Sequence, residues 1–349
     1  MISVDVAVIG AGQAGLSSGY FLRRAGLDHV VLDADRGPGG AWQHRWPTLR
    51  MATVHGIHDL PAMPFSVVDE SAPAREVLPA YFDDFERRNG IRVERPVVVT
   101  AVRNGDDGRL LVESADETWS ARALINATGT WTHPFWPRYP GQESFRGRQL
   151  HTADYVGPEE FAGQHVVVVG GGSSAVQLQL EIAEVAGVTW VTRREPSFTD
   201  EPFTPEIGRA VVARVDEAVR AGRPPASVVS VTGLFRTPLV RAAQEAGLLD
   251  RLPMFDWITA DGVAWDDGRE VRACAILWAT GFRPAIDHLA PLKLRGPGGG
   301  IKLDGTRVVA DPRVHLVGYG PSASTVGASR AGRTAVREIG ELLAPVPVG

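Results

Sequence analysis

Two glycine-rich turns, set alike in the chain, are the residues whose types and spacing point to chemistry. Gly10-x-Gly12-x-x-Gly15 follows the apolar run from Val4 to Ile9 and opens a helical stretch from Leu16 to Arg24. A β-branched run, Val30 to Leu32, then ends in Asp33. Gly10 permits the tight turn, Gly12 lets a diphosphate approach the backbone beside Gln13, and Gly15 lets helix and strand pack closely. The helix N-terminus presents N–H groups and the positive end of its dipole to that diphosphate. Asp33 stands where an adenosine ribose would donate hydrogen bonds. The device recurs downstream, where His165 to Val169 runs into Gly170-Gly171-Gly172-Ser173-Ser174, a helical stretch to Ala186 and a strand from Val188 to Thr192. Asp33 follows Gly10 by 23 residues, and Arg193 follows Gly170 by the same 23. The first unit thus ends in an acid where the second ends in Arg193-Arg194. An Asp favours a ribose with free hydroxyls and an Arg accommodates a 2′-phosphate. This pairing assigns FAD to the first site, through Gly10, Gly12, Gln13, Gly15 and Asp33. It assigns NADPH to the second, through Gly170, Gly172, Ser173, Ser174, Arg193 and Arg194.

The elements that must hold these turns also repeat. Val97 to Val102, Leu110 to Glu113 and Ala123 to Asn126 read as strands of a small β-meander leading into Ala127-Thr128-Gly129. In the second unit Gly262 to Trp265, a turn at Asp266-Asp267-Gly268, and Ala275 to Trp278 lead into Ala279-Thr280-Gly281. A strand that ends in small residues lets the backbone cross near a cofactor or turn between domains. Glu76 to Arg88 and Thr325 to Leu343 have amphipathic helical spacing, and Val314 to Gly318 reads as a last strand. Residues 197–257, rich in proline, form an insertion with helical stretches near 206–221 and 238–249; it either shapes a substrate opening or serves as a structural cover. The expected fold is α/β, with two Rossmann-like dinucleotide-binding domains for FAD and NADPH. Each carries a β-meander, and the second is inserted in the first: 1–150 and 285–349 for FAD, 151–284 for NADPH.

After Asp33 the chain continues through Gly39-Gly40-Ala41-Trp42. Paired glycines there either bring the backbone to the cofactor, with Trp42 covering it, or make an ordinary turn before a core Trp. His44, His55 and His58 lie in a mixed loop without metal-ligand spacing and read as surface or packing residues. A net charge of −5 and a pI near 6.0 give no electrostatic argument for nucleic acid or an anionic membrane. Cys274 is the single cysteine, which excludes an internal disulfide and a redox-active pair and suits a reducing compartment. No apolar stretch approaches the roughly 20 residues of a membrane span, and no basic region or apolar core precedes the first strand. A cytoplasmic enzyme without a metal is expected, and a homodimer is compatible with it.

The glycine pairs, Gly39-Gly40-x-Trp42 and both Ala-Thr-Gly segments resemble the class B flavin-dependent monooxygenases, in particular the small bacterial flavin-containing monooxygenase (FMO-like) group. Phe145-x-Gly147-x-x-x-His151-x-x-x-Tyr155 matches that family's FxGxxxHxxx(Y/F) motif, in the family's position between the two units. The resemblance implies that this linker reports how the NADPH domain sits on the FAD domain. It implies FAD contacts at Gly40, Trp42, Ala127, Thr128, Gly129 and Gly318, and NADPH contacts at Ala279, Thr280 and Gly281. It further implies that NADPH reduces FAD, that O2 adds at the flavin 4a carbon, and that the (hydro)peroxide passes one oxygen to a sulfide or amine. A small-molecule substrate and O2 are then the partners, with no nucleic acid and no membrane. Val156 after Tyr155, in place of the proline common in Baeyer–Villiger relatives, tilts the reading toward heteroatom oxidation. Larger members carry an Asn beside the flavin soon after the paired glycines, but the first Asn here is Asn89. Met51, Thr53 and His55, with Trp42, are the candidates for that region. The alternatives are an NADPH-dependent reductase serving an external acceptor, and a non-catalytic nucleotide-binding flavoprotein.

Overall fold

In the computed structural model, which describes residues 1–54, 57–200, 213, 215–225, 233–323 and 325–344, the chain begins with strand β1 (Ile2–Ile9). Val6, Ala7 and Val8 are fully buried, because parallel strands lie on either side of β1 and apolar layers cover both its faces. Helix α1 (Gln13–Arg24) returns the chain to β2 (His29–Leu32), which pairs parallel with β1. Helix α2 (Ala74–Asn89) turns Leu78, Tyr81, Phe82 and Phe85 inward and stops at Gly90, in the left-handed conformation that ends many helices. Strands β3 (Val93–Glu94), β4 (Ala101–Asn104), β5 (Leu110–Glu113) and β6 (Thr118–Asn126) complete the first stretch.

The second unit opens with β7 (Arg148–His151), β8 (His165–Val169), α3 (Ser173–Ala183) and β9 (Gly187–Thr192). The insertion contributes β10 (Phe198–Thr199), β11 (Leu234–Phe235) and α4 (Pro238–Glu245). Strands β12 (Arg251–Pro253), β13 (Trp257–Thr259), β14 (Gly262–Ala264), β15 (Glu270–Arg272) and β16 (Ala275–Trp278) follow. The chain then re-enters the first unit through β17 (Leu303–Asp304), β18 (Arg307–Val308), β19 (Asp311–Leu316) and α5 (Thr325–Leu343).

The first sheet has the order β17-β18-β19-β6-β1-β2-β3, with β5 and β4 extending from β6. The second is parallel throughout, in the order β12-β9-β8-β16-β7, and β13, β14 and β15 form a separate antiparallel meander. The architecture is therefore α/β with two Rossmann-like units, the second inserted in the first. Three details differ from the sequence reading. Val97 to Thr100 are outside β4, since the Val97 N–H donates to the Asp33 carbonyl (2.7 Å) instead of joining a ladder. β6 starts at Thr118, because its first half pairs with β5 as well as β1. β7, three residues of which precede position 151, is an edge strand of the second sheet. The helical stretch near 206–221 falls largely outside the described residues. Among those described, no helix is long and apolar enough to cross a membrane.

Candidate functional site: a cavity between two glycine turns

At the first turn the Gly10 N–H donates to the Leu32 carbonyl (2.7 Å) with φ 96°, and a Cβ there would lie 2.6 Å from the Ala127 oxygen. A Cβ on Gly15 would stand 1.8 Å from the Gly10 oxygen, so glycine is what lets α1 seat on β1. Gly12 differs. Its Cβ would meet nothing within 4 Å, and it caps α1 without any side-chain hydrogen bond or acid in the first turn. The helix end thus opens onto free space, the cradle a diphosphate requires. Gln13 reaches that space too, although its amide donates to the His58 carbonyl (2.9 Å).

That space is a cavity of about 960 Å³. Gly10, Gly12, Asp33, Gly40, Trp42, Ala127, Thr128, Gly129 and Gly318 all line it, with Gly281 from the second unit. Asp33 is buried; one carboxylate oxygen accepts from the Ala11 N–H (3.2 Å) and the other from the Asp35 N–H (3.1 Å). Burial pushes its pKa up, against the pull of those N–H groups and of Arg95. Arg95 forms a fork on Glu86, with both bonds at 2.7 Å, and stands 3.5 Å from Asp33. The sequence reading missed Arg95, whose partners come from α2 and the end of β2. Gly39 and Gly40 both have positive φ, and a Cβ on Gly40 would lie 2.9 Å from Gly12 Cα. The paired glycines therefore press the following loop against the first turn, and half-buried Trp42 lines the cavity while packing on core residues. Met51 is buried in the second unit's apolar cluster, and Thr53 borders α3, where its carbonyl accepts from Gln177 (2.9 Å). Neither lines the cavity. His55 lies outside the described residues.

The second turn repeats the first. Gly170 has φ 144°, and its Cβ would fall 2.2 Å from the Ala279 oxygen. Gly172 caps α3 without a side-chain bond and faces open space. Ser173 and Ser174 begin the helix. Arg193 and Arg194 directly follow β9, as Asp33 follows β2, and both are exposed with no ion pair or side-chain hydrogen bond to described residues.

Each Ala-Thr-Gly segment bonds to the chain that follows the other. The Phe135 N–H donates to the Gly281 carbonyl (2.9 Å), the Arg283 N–H to that of His133 (2.8 Å), and the Thr280 hydroxyl to that of Phe135. Trp131 stacks on Phe282 at 4.9 Å. His151 of the linker motif is fully buried beside them. Its Nδ1 accepts from the Ala153 N–H (3.1 Å), so Nε2 carries the proton and donates to the Gly281 carbonyl (3.0 Å). Burial keeps this imidazole below its usual pKa and neutral. Buried Phe145 and Gly147 fix β7; a Cβ on Gly147 would lie 2.4 Å from the Cys274 oxygen. The Tyr155 hydroxyl (3.1 Å) and the Thr48 hydroxyl (2.6 Å) both donate to one oxygen of Glu181, tying linker, first unit and α3 together. Glu181 carried no sequence signal, being one acid on an amphipathic helix.

Residues 7–233 match the family model for pyridine nucleotide-disulphide oxidoreductases. A solved flavin-containing monooxygenase from Stenotrophomonas maltophilia is 40% identical, with 99% of this chain and 100% of that one covered and a TM-score of 0.85. The indole-3-pyruvate monooxygenase YUCCA1 of Oryza sativa subsp. japonica is 25% identical over 313 residues, covering 80% of this chain and 77% of that protein. The flavin-containing monooxygenase FMO GS-OX3 of Arabidopsis thaliana is 32% identical over 257 residues, 61% of this chain and 54% of that protein.

Proposed function

From a chain that belongs to the pyridine nucleotide-disulphide oxidoreductase family and is an FAD-dependent monooxygenase within it, we propose the finer reading that NADPH is its reductant and a soft sulfide or amine its oxygen acceptor. The observation that carries it is that the ends of both Ala-Thr-Gly segments reach one cavity, Gly129 of the first unit and Gly281 of the second lining a common wall. FAD, when bound, supplies hydride acceptance and the activation of O2. The protein's part is to bind, orient and exclude water. The α1 N-terminus and Gly12 hold the FAD diphosphate, and Asp33 holds the ribose. The α3 N-terminus, Gly172, Ser173 and Ser174 hold the NADPH diphosphate, and Arg193 and Arg194 its 2′-phosphate. Trp42, Trp131, Phe282 and Tyr319 wall the space with apolar surface that keeps water from the reacting centre. With Cys274 alone there is no dithiol to relay electrons onward, which favours oxygen transfer over disulfide reduction. The same lone thiol suits a cytoplasmic setting.

The test is the product balance: NADPH consumed in air with a thioether should yield sulfoxide in an amount comparable to the NADPH oxidised. Hydrogen peroxide as the sole product across a panel of sulfides and amines would instead favour the reductase reading.

A further inference from the structure

The cavity wall carries a charge pattern that the two glycine turns do not explain. Its acids are Asp33, Asp35 and Asp287, and among the described lining residues Arg45 is the one lysine or arginine. Among the described residues Arg45 has no carboxylate partner and no side-chain hydrogen bond, and its buried Nε is unsatisfied. The guanidinium is clamped instead between two indoles, 5.3 Å from the Trp42 ring centre and 4.9 Å from that of Trp131. Burial lowers its pKa only to about 10, so the group stays a cation at neutral pH. Arg45 is half-buried, and a cation with a buried, unpaired Nε is costly to hold; an anion in the cavity that Arg45 lines would satisfy it.

We propose that Arg45 is the counter-cation of the FAD diphosphate, held flat by Trp42 and Trp131 so that its fork meets phosphate oxygens. The placement rests on contacts at both ends of the loop. Gly40 touches Gly12, the open N-cap of α1, so the segment carrying Arg45 lies against the turn that receives the diphosphate. Trp131 stands two residues beyond Gly129, whose own Cβ direction is open space. A helix N-terminus contributes roughly half a positive charge, too little for a diphosphate that shares its wall with three aspartates. Arg suits the task better than Lys, since a planar fork both stacks on aromatic faces and bonds phosphate bidentately. The sandwich continues through Trp131 onto Phe282 of the second unit, so filling the first site also steadies the seam between the units.

This inference rests on FAD occupying the first unit. The experiment measures flavin release from purified holoenzyme on dilution, by the fluorescence of freed FAD, for the parent protein, Arg45→Met and Arg45→Lys. Arg45→Met should weaken FAD binding by about tenfold or more and Arg45→Lys by less, with the NADPH KM at saturating FAD unchanged. Added salt should weaken FAD retention by the parent more than by Arg45→Met. Equal flavin retention in all three proteins would overturn the proposal. So would an increase confined to the NADPH KM, which would give the cation to the second nucleotide. Equal loss in both variants, with a lower melting temperature of the flavin-free protein, would reduce Arg45 to packing and overturn it too. Flavin retained by Gly12→Val would remove the FAD assignment itself, whereas retention by Arg45→Met alone removes only the role of Arg45.

Discussion

Replacing Arg193 and Arg194 together with glutamine should lower kcat/KM for NADPH by about 30- to 150-fold and leave that for NADH within a factor of two. The magnitude follows from where the side chains lie. Both are exposed at the end of β9, in the position that Asp33 holds after β2, with no ion pair to described residues. A charge-assisted hydrogen bond contributes about 1.5–3 kcal/mol where solvent is partly excluded, and exposure moves each Arg to the lower end, about 1–1.5 kcal/mol. Two such contacts give roughly 2–3 kcal/mol, which is the stated ratio at 25 °C. NADH offers hydroxyls where NADPH offers a phosphate, so it loses little. The assay is steady-state oxidation of each coenzyme at saturating thioether, with FAD occupancy checked by absorbance. Equal losses with both coenzymes would mean that the pair supports the domain instead of reading the phosphate, and the assignment of the second site's specificity would fall.

Gly12→Val should purify colourless, because an isopropyl group would fill the open space at the α1 N-cap; a yellow protein with full flavin content would show that the diphosphate lies elsewhere. Tyr155→Phe removes one of the two donors to Glu181 and should lower stability by about 1 kcal/mol, a melting temperature lower by a few degrees. No change would mean that Thr48 alone suffices to hold α3 to the first unit. His315 is buried and His288 half-buried on the cavity wall; desolvation holds both neutral, each with a pKa of about 4. Since the folded values lie below the ordinary 6.5, their neutral forms contribute stability above that pH, and it is lost as pH falls from about 6.5 toward 4. The slope should reach about 1.4 kcal/mol per pH unit for each histidine. Urea midpoints between pH 7.5 and 4.5 measure it, and a flat profile, or one unchanged in His315→Asn, would contradict the burial argument.

The turns were legible because the glycine spacing itself marks them. Gly10, Gly15 and Gly170 sit where any Cβ would strike backbone a few residues or one strand away, and the spacing from Gly10 to Asp33 is the length of a strand-helix-strand unit. The insertion of one unit in the other was legible from the order of the repeat. What escaped depends on distant partners. Arg45 gains its meaning from Trp131, in another segment of the chain, and Arg95 from its fork on Glu86 and its approach to Asp33. The second meander looked like a copy of the first in sequence, yet β5 pairs with β6 whereas β15 pairs with β14 alone, leaving β16 to pair with β7 and β8. Hydrophobic alternation gives each strand's faces but not its neighbours. Met51 and Thr53 were placed by proximity to the paired glycines, and the loop instead carries them to α3, where Gln177 fixes the Thr53 carbonyl.

The central claim, that this chain moves an oxygen atom from O2 to a soft nucleophile, is tested most directly by turnover under ¹⁸O2 with NADPH and a thioether, with mass spectrometry of the product. The account predicts sulfoxide carrying one ¹⁸O per molecule, with the label absent when ¹⁸O is supplied as water instead. Sulfoxide without label from ¹⁸O2, or NADPH consumption that yields only labelled hydrogen peroxide, would contradict it.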